Sequence, residues 1–376
     1  MLCSIPVCGG KSSGSDSNVL YDLKFIQTTN GEHLLVVSGD PGILIYKWSY
    51  FEGAIAAAID VGGDEQPKPK KPKCQDPQPP RLSTDEITPI TTFKPHTSPT
   101  TSFGGSVEFN STSYSKTDDI LYGAAGDVFG CYQWDLATET FLGTFGGGGS
   151  SRYNGSGHRD YLHVVKTIPE AEGMGSRYVM TGGEDGNIGI WDAKSRKLIE
   201  MMNIQSTMDK NKDLVSSNTT TSSSRGFLST SSTSWSNSGP NSWVSSMDTN
   251  GDWLAVCGGT ENTIGLTSRS GPSTSGFMTL WHLPTRTFTS GCVTRESINT
   301  VVHNHPLGCF VSGGNEGRIS FWESSSLVRS GRSWCTTPAY TISVDPDSSG
   351  MVVGGAGGTL DRFVDRVKVS QLQISS

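Results

Sequence analysis

Six times along the chain a short apolar run gives way to small residues, an acidic or glycine turn, and a second run that closes near an aromatic residue. A unit this small cannot bury its own apolar face, so copies must stack on one another, and their period decides the architecture. The clearest copies are RYVMTGGEDGNIGIWD, Arg177 to Asp192, and GCFVSGGNEGRISFWE, Gly308 to Glu323. Looser ones run from His33 to Trp48, from Asp119 to Asp135 and from Gly350 to Val364, and a split one starts at Asp252 and resumes to end at Leu283.

The closing aromatics Trp281, Trp322 and Phe363 lie 41 residues apart, within the period of about 40 to 45 of a four-stranded propeller blade. Trp48, Trp134, Trp191 and Trp281 are separated by 86, 57 and 90 residues, and each excess coincides with biased sequence. A Pro-, Lys- and Thr-rich tract fills 53–105, GGGGSSRYNGSG runs from Gly146 to Gly157, and 206–241 is mostly Ser, Thr and Asn. Such segments bury too little apolar surface to offset their ordering entropy. The chain is therefore expected to be one domain over 1–376, with disordered inserts at about 53–105, 206–241 and 260–275.

Within a unit, Tyr178 to Thr181 favours a strand, Gly182 to Gly186 with Glu184 and Asp185 a tight turn, and Asn187 to Asp192 a second strand. No segment of about 12 residues shows helical periodicity, so the fold class is all-β. The 46 glycines and 17% charged residues agree with many turns around a large core.

Gly157-His158 followed by Trp191-Asp192 is similar to the GH-to-WD signature of the WD-repeat family, and the chain resembles a β-propeller of that family. The resemblance implies seven blades where six are recognisable, the N-terminal one missing or divergent between Met1 and Ile26. It also implies a buried structural relay of His158, Asp185, Thr181 and Trp191. The other units close on Trp48-Ser49, Trp134-Asp135, Trp281-His282, Trp322-Glu323 and Phe363-Val364, so their relays are expected to be incomplete and replaced by apolar packing.

GHRDYLHVV, GGEDGNIGIWD, DWLAVCGG, TLWHLPTRT and FVSGGNEGRISFW, in that order, resemble the WD-repeat subunits of THO assemblies, which couple transcription to mRNA export in the nucleus. This resemblance covers roughly two thirds of the chain. It implies a non-enzymatic scaffold of a THO/TREX-like complex acting in mRNA processing and nuclear mRNA export, with other THO-like subunits as partners. Trp191, Asp192 and Lys194 also resemble the box that docks WD-repeat proteins on a cullin–RING ligase adaptor, which makes a substrate receptor the alternative. Lys is a poorer bidentate partner than Arg there.

The formal net charge of −7 argues against direct grip on nucleic acid, so RNA is contacted only through partners. The basic tract Lys68, Lys70, Lys71 and Lys73, set between prolines, is a solvated spacer, a nuclear import signal or an RNA contact. No run of 18 or more apolar residues occurs, and MLCSIPVCGGKSSG has neither the basic leader nor the apolar stretch of a signal peptide. An intracellular, nuclear protein without membrane contact is expected. The eight cysteines show no CxxC pairing, and reduced buried thiols are expected, Cys131, Cys257 and Cys309 among them.

GxSxG, GxxxxGK[ST] and HExxH motifs are absent. His303-Asn304-His305 lacks neighbours to complete a metal shell, and His158 with Asp185 mimics an acid/base pair that the fold would place inside a blade. No catalytic residue, metal or cofactor is assigned. The candidate partner surface is Arg159, Tyr161, His163 and Arg318, because Tyr and Arg dominate interface energetics; Tyr161 and His163 also fit the start of a buried strand.

Overall fold

The computed structural model describes residues 20–40, 42–49, 51, 89–94, 107–146, 157–168, 177–217, 242–262, 273–336, 338–345, 347–355 and 359–373. Six sheets, each with an antiparallel four-stranded blade, follow one another in chain order around a propeller ring. Blade 1 holds β1 (Leu20–Gln27), β2 (His33–Gly39), β3 (Ile43–Lys47) and β4 (Thr91–Phe93), and blade 2 holds β5 (Phe109–Ser115), β6 (Ile120–Ala125), β7 (Gly130–Asp135) and β8 (Thr140–Gly146). Blade 3 is β9 (Leu162–Thr167), β10 (Tyr178–Gly183), β11 (Asn187–Asp192) and β12 (Leu198–Asn203). A short helix, α1 (Ile204–Lys210), and a strand, β13 (Val215–Ser217), then precede blade 4, formed by β14 (Ser242–Thr249), β15 (Trp253–Asn262), β16 (Ser273–His282) and β17 (Thr287–Thr294). Blade 5 is β18 (Ile298–Asn304), β19 (Cys309–Gly314), β20 (Arg318–Glu323) and β21 (Arg329–Trp334). Blade 6 is β22 (Ala339–Val344), β23 (Met351–Gly355), β24 (Thr359–Val364) and β25 (Val367–Gln373).

The repeat has a physical cause at two register positions. In every blade the first strand bulges near its start, at its second residue in five blades (Tyr21, Asn110, His163, Asn299 and Tyr340) and at its fourth, Ser245, in blade 4. The bulge presses the preceding carbonyl against the second strand: a Cβ on Gly183 would lie 2.3 Å from the Tyr161 oxygen, and one on Gly314 2.2 Å from that of Ser297. That approach demands the small residues after each apolar run. The second position is the closing aromatic. Trp134, Trp191, Trp281, Trp322 and Phe363 occupy the same place in the third strand, each where the pairing to the fourth strand shifts. Blade 1 differs: its register puts Tyr46, opposite Leu35, in that place, while Trp48 lies beyond the strand and meets Phe25 edge-on.

Hydrophobic clusters straddle five successive junctions, from Ile45, Phe109 and Trp134 between blades 1 and 2 to Val311, Phe321 and Ile342 between blades 5 and 6. Each fully buried large side chain there stabilises by about 1.5 to 3 kcal/mol. Polar bonds clasp the same junctions: Asp22 Oδ2 accepts from Thr112 N–H at 2.8 Å, Ser113 Oγ from Thr167 N–H at 3.0 Å, and Asp248 Oδ2 from His303 N–H at 2.8 Å. Lys166 Nζ meets Asp248 at 2.6 Å. Bulge residues add Asn110 to Leu162 O at 2.8 Å, Ser245 to Ile298 O at 2.6 Å and Asn299 to Ala339 O at 3.1 Å. Among the described residues no comparable packing joins blade 6 to blade 1. No sheet mixes strands from the two chain ends, and Tyr21, Leu23 and Phe25 of β1, with Tyr340 and Val352 of blade 6, stay exposed.

Among the described residues the fold is all-β apart from short helical turns; the longest, α1, spans only seven residues, too few for sequence periodicity to show. Asn203 caps it by accepting from Ser206 N–H at 2.9 Å, and Ile204 and Met208 share its buried face. Some described strands lie inside the ranges expected for the inserts. Thr91–Phe93 completes blade 1, Val215–Ser217 pairs in parallel with β17 and covers the edge of blade 4, and β15 and β16 extend to Asn262 and from Ser273. The N-terminal segment contributes residues 20–26 to β1. Cys131, Cys257 and Cys309 are buried free thiols, and burial pushes Cys257 up to about 12.

Candidate functional site

Blade 3 draws four side chains into one hydrogen-bonded chain. His158 Nδ1 lies 3.0 Å from Asp185 Oδ1, and its Nε2 lies 2.7 Å from Thr181 Oγ1. Trp191 Nε1 donates to the same hydroxyl at 2.7 Å. The turn that predicts a hairpin also holds the carboxylate: Arg159 N–H donates to Asp185 Oδ2 at 3.0 Å and Asn187 N–H to Oδ1 at 3.1 Å. Gly186 takes φ +66 there, and a Cβ would lie 2.5 Å from Ser242 Oγ. Burial by itself raises the Asp185 carboxyl, but the bonds from His158, Arg159 and Asn187 outweigh it and hold it below the usual carboxylate range. The His158 side chain is 1% exposed. Both ring nitrogens are engaged, so the pair offers no open face for acid/base work.

The other blades keep parts of this frame. Trp322 Nε1 donates to Ser312 Oγ at 2.8 Å, with Ser312 at the register of Thr181. Trp281 Nε1 instead uses Thr279 Oγ1 at 3.1 Å, two residues back on its own strand. Replacement by apolar packing alone is therefore corrected for blades 4 and 5: the indole N–H still finds a hydroxyl, because a buried donor without one is costly. The residue after the aromatic has a separate duty. Asp135 Oδ1 accepts from Thr138 N–H at 2.8 Å and Asp192 Oδ1 from Ser195 N–H at 2.7 Å. Ser326 Oγ donates to Glu323 Oε2 at 2.8 Å, and His282 Nδ1 meets Thr285 Oγ1 at 2.7 Å. Each caps the turn into the fourth strand, where Glu139, Arg196, Arg286 and Leu327 adopt positive φ. This is why Asp, Glu and His interchange at that position.

The candidate ligase-adaptor residues divide accordingly: Trp191 is buried, Asp192 is spent on its turn, and Lys194 is exposed. Of the candidate partner surface, Arg159 is exposed and half-buried Tyr161 donates its hydroxyl to Glu108 Oε2 at 2.5 Å. His163, the bulged residue of β9, lies 3.4 Å from Glu184, and burial pulls it below its ordinary value against that carboxylate. Arg318 belongs to another part of the ring and stacks on Trp334, Cζ 3.9 Å from the ring centre. The four thus do not form one patch of free side chains. Lys68, Lys70, Lys71 and Lys73 lie outside the described residues. His303 packs edge-on against His305, their centroids 4.5 Å apart, and burial followed by that neighbour lowers it to about 4. Among the described residues no three His, Cys, Asp or Glu side chains gather as for a metal ion, and no helix is long and apolar enough to cross a membrane.

No family model matches the chain. Over 187 residues, 49% of the chain, it is 27% identical to THO complex subunit 6 of Arabidopsis thaliana. Over 197 residues, 51% of the chain, it is 25% identical to the THO complex subunit 6 homolog of Danio rerio. The match spans 41% and 43% of the length of these two relatives. In structure it is similar to a chain of the crystal structure of the mitotic checkpoint complex, with a TM-score of 0.53 over 91% of this chain and 73% of that one. At 12% identity that likeness concerns the fold alone.

Proposed function

We propose that this six-bladed propeller, similar in sequence to THO complex subunit 6, is a non-catalytic scaffold subunit of a THO/TREX-like complex that acts in mRNA processing and export in the nucleus. The observation that carries this reading is the similarity to two THO complex subunit 6 proteins across half of the chain. The geometry supports it in two ways. His158 with Asp185, which mimics an acid/base pair, is closed by Thr181 and buried. The net charge of −7 favours protein partners over direct phosphate contact.

The partner surface is assigned to exposed Arg159 and to Arg318, with His163 between β9 and Glu184 as a lesser element. Purification of the tagged chain from nuclear extract followed by mass spectrometry tests the reading: other THO-type subunits are expected. Arg159→Glu and Arg318→Glu should reduce their recovery without unfolding the propeller, and Lys194→Glu should leave it intact. Recovery of ligase components alone would overturn the scaffold reading.

A further inference from the structure

Blade 5 carries the frame of the relay without its imidazole. Counted along the matching strand registers, Trp322, Ser312 and Glu316 fall where blade 3 has Trp191, Thr181 and Asp185, and Thr294 falls where it has His158. The Thr294 hydroxyl turns back to donate to the Glu296 carbonyl at 2.8 Å. A cleft of about 20 Å³ remains, lined among others by Thr294, Ser312, Glu316, Arg318, Arg329 and Arg332.

Three guanidinium groups therefore border a space with one inner carboxylate, Glu316, and a second acid, Glu296, exposed at the mouth. Arg332 Nη2 reaches Glu316 only at 3.6 Å, and Arg329 lies over the Trp322 ring with Cζ 5.8 Å from its centre. Nη1 of Arg329 and Nε of Arg332 are buried without any hydrogen-bond partner. Native proteins seldom leave such donors unmet. Burial, reinforced by Arg332 and Arg318, holds Arg329 below its ordinary value, so an added negative charge would be favoured here. At the rim, Arg318 lies on a Trp334 ring that is 68% exposed, the residue pair most typical of interface anchors.

We propose that this cleft seats a carboxylate side chain from an acidic segment of a partner protein, Arg329 and Arg332 donating to its two oxygens and the Arg318–Trp334 stack forming the rim. The two oxygens of a carboxylate answer the two unmet donors, which small rotations of the arginine side chains would turn into the cleft; a phosphate is bulkier than so small a cleft favours. The proposal deepens the scaffold reading and rests on it only for the source of the acid.

The test is fluorescence polarisation with the full chain and a fluorescein-labelled, end-blocked decapeptide of alternating aspartate and glycine. The acidic peptide should bind, more weakly as salt rises, and its asparagine counterpart should not. Arg329→Gln and Arg332→Gln should each weaken binding about tenfold or more, whereas Arg286→Gln, in blade 4, should not. If a cleft variant fails to fold, Arg318→Gln at the rim carries the test, with a severalfold loss expected. Equal binding of the asparagine peptide, unchanged affinity in the folded cleft variants, or displacement by inorganic phosphate but not by acetate would overturn the proposal. Peptide binding that persists while no THO-type subunit copurifies would count against the scaffold reading alone.

Discussion

Replacing Thr181 by Val removes one oxygen and almost no volume, yet that oxygen serves two buried groups. With His158 Nδ1 donating to Asp185, Nε2 is the acceptor, so the Thr181 hydroxyl donates to it at 2.7 Å while accepting from Trp191 Nε1 at 2.7 Å. Trp191 is 2% exposed and the His158 side chain 1%, so water cannot replace the lost bonds. Each orphaned group costs about 1 to 3 kcal/mol, giving about 2 to 6 kcal/mol for Thr181→Val. The internal control is Ser312→Ala in blade 5, which orphans the Trp322 indole without a histidine above it and should cost about 1 to 3 kcal/mol. Urea unfolding followed by far-UV circular dichroism, with linear extrapolation, compares the two. Losses equal within about 0.5 kcal/mol would refute the idea that the hydroxyl is a shared node.

The Asp185 carboxyl lies below its unfolded value, so its contribution to stability is present above the unfolded pKa near about 4 and is lost as pH falls through the lower folded value. Thermal melts of the wild type and Asp185→Asn should therefore differ at neutral pH and converge in acid. Gly314→Ala forces a Cβ to within 2.2 Å of the Ser297 oxygen and should destabilise by about 1 to 3 kcal/mol or more. Gly331→Ala, whose nearest atom would be Phe321 Cδ2 at 3.6 Å, should be nearly neutral in the same unfolding assay.

The second and third strands were legible in the sequence because each hairpin states its own reason locally. The small residues answer the bulge carbonyl, the turn glycine answers a positive φ, and the aromatic fills the junction. The relay in blade 3 was legible because all four residue types recur in one family signature. What escaped depended on distant chain. Thr91–Phe93 completes blade 1 from within a biased tract, and β13 gains its partner at Gly291 to Val293, more than a whole blade later. The sequence pattern points to Trp48 as the closing aromatic of blade 1, but register rather than residue type assigns that place to Tyr46. The Ser312 and Thr279 hydroxyls carry no signal of their own, since a serine or threonine in a strand is ordinary until an indole points at it.

The unlatched junction changes how the molecule comes apart. Among the described residues blade 6 lacks packing on blade 1 comparable to the other five junctions, and no strand near one chain end joins the sheet of the other. Energetically the blades then form a row with two ends, its stability a sum of single-blade and nearest-neighbour contributions. Among the described residues each end blade packs on one neighbour, so the end blades are expected to fray first. Amide hydrogens of β2 and β23 should exchange ahead of those of β10 and β15, in a gradient that runs inward from both ends. Anything that bridged the exposed faces of β1 and blade 6 would remove both ends at once and turn graded opening into a single cooperative step.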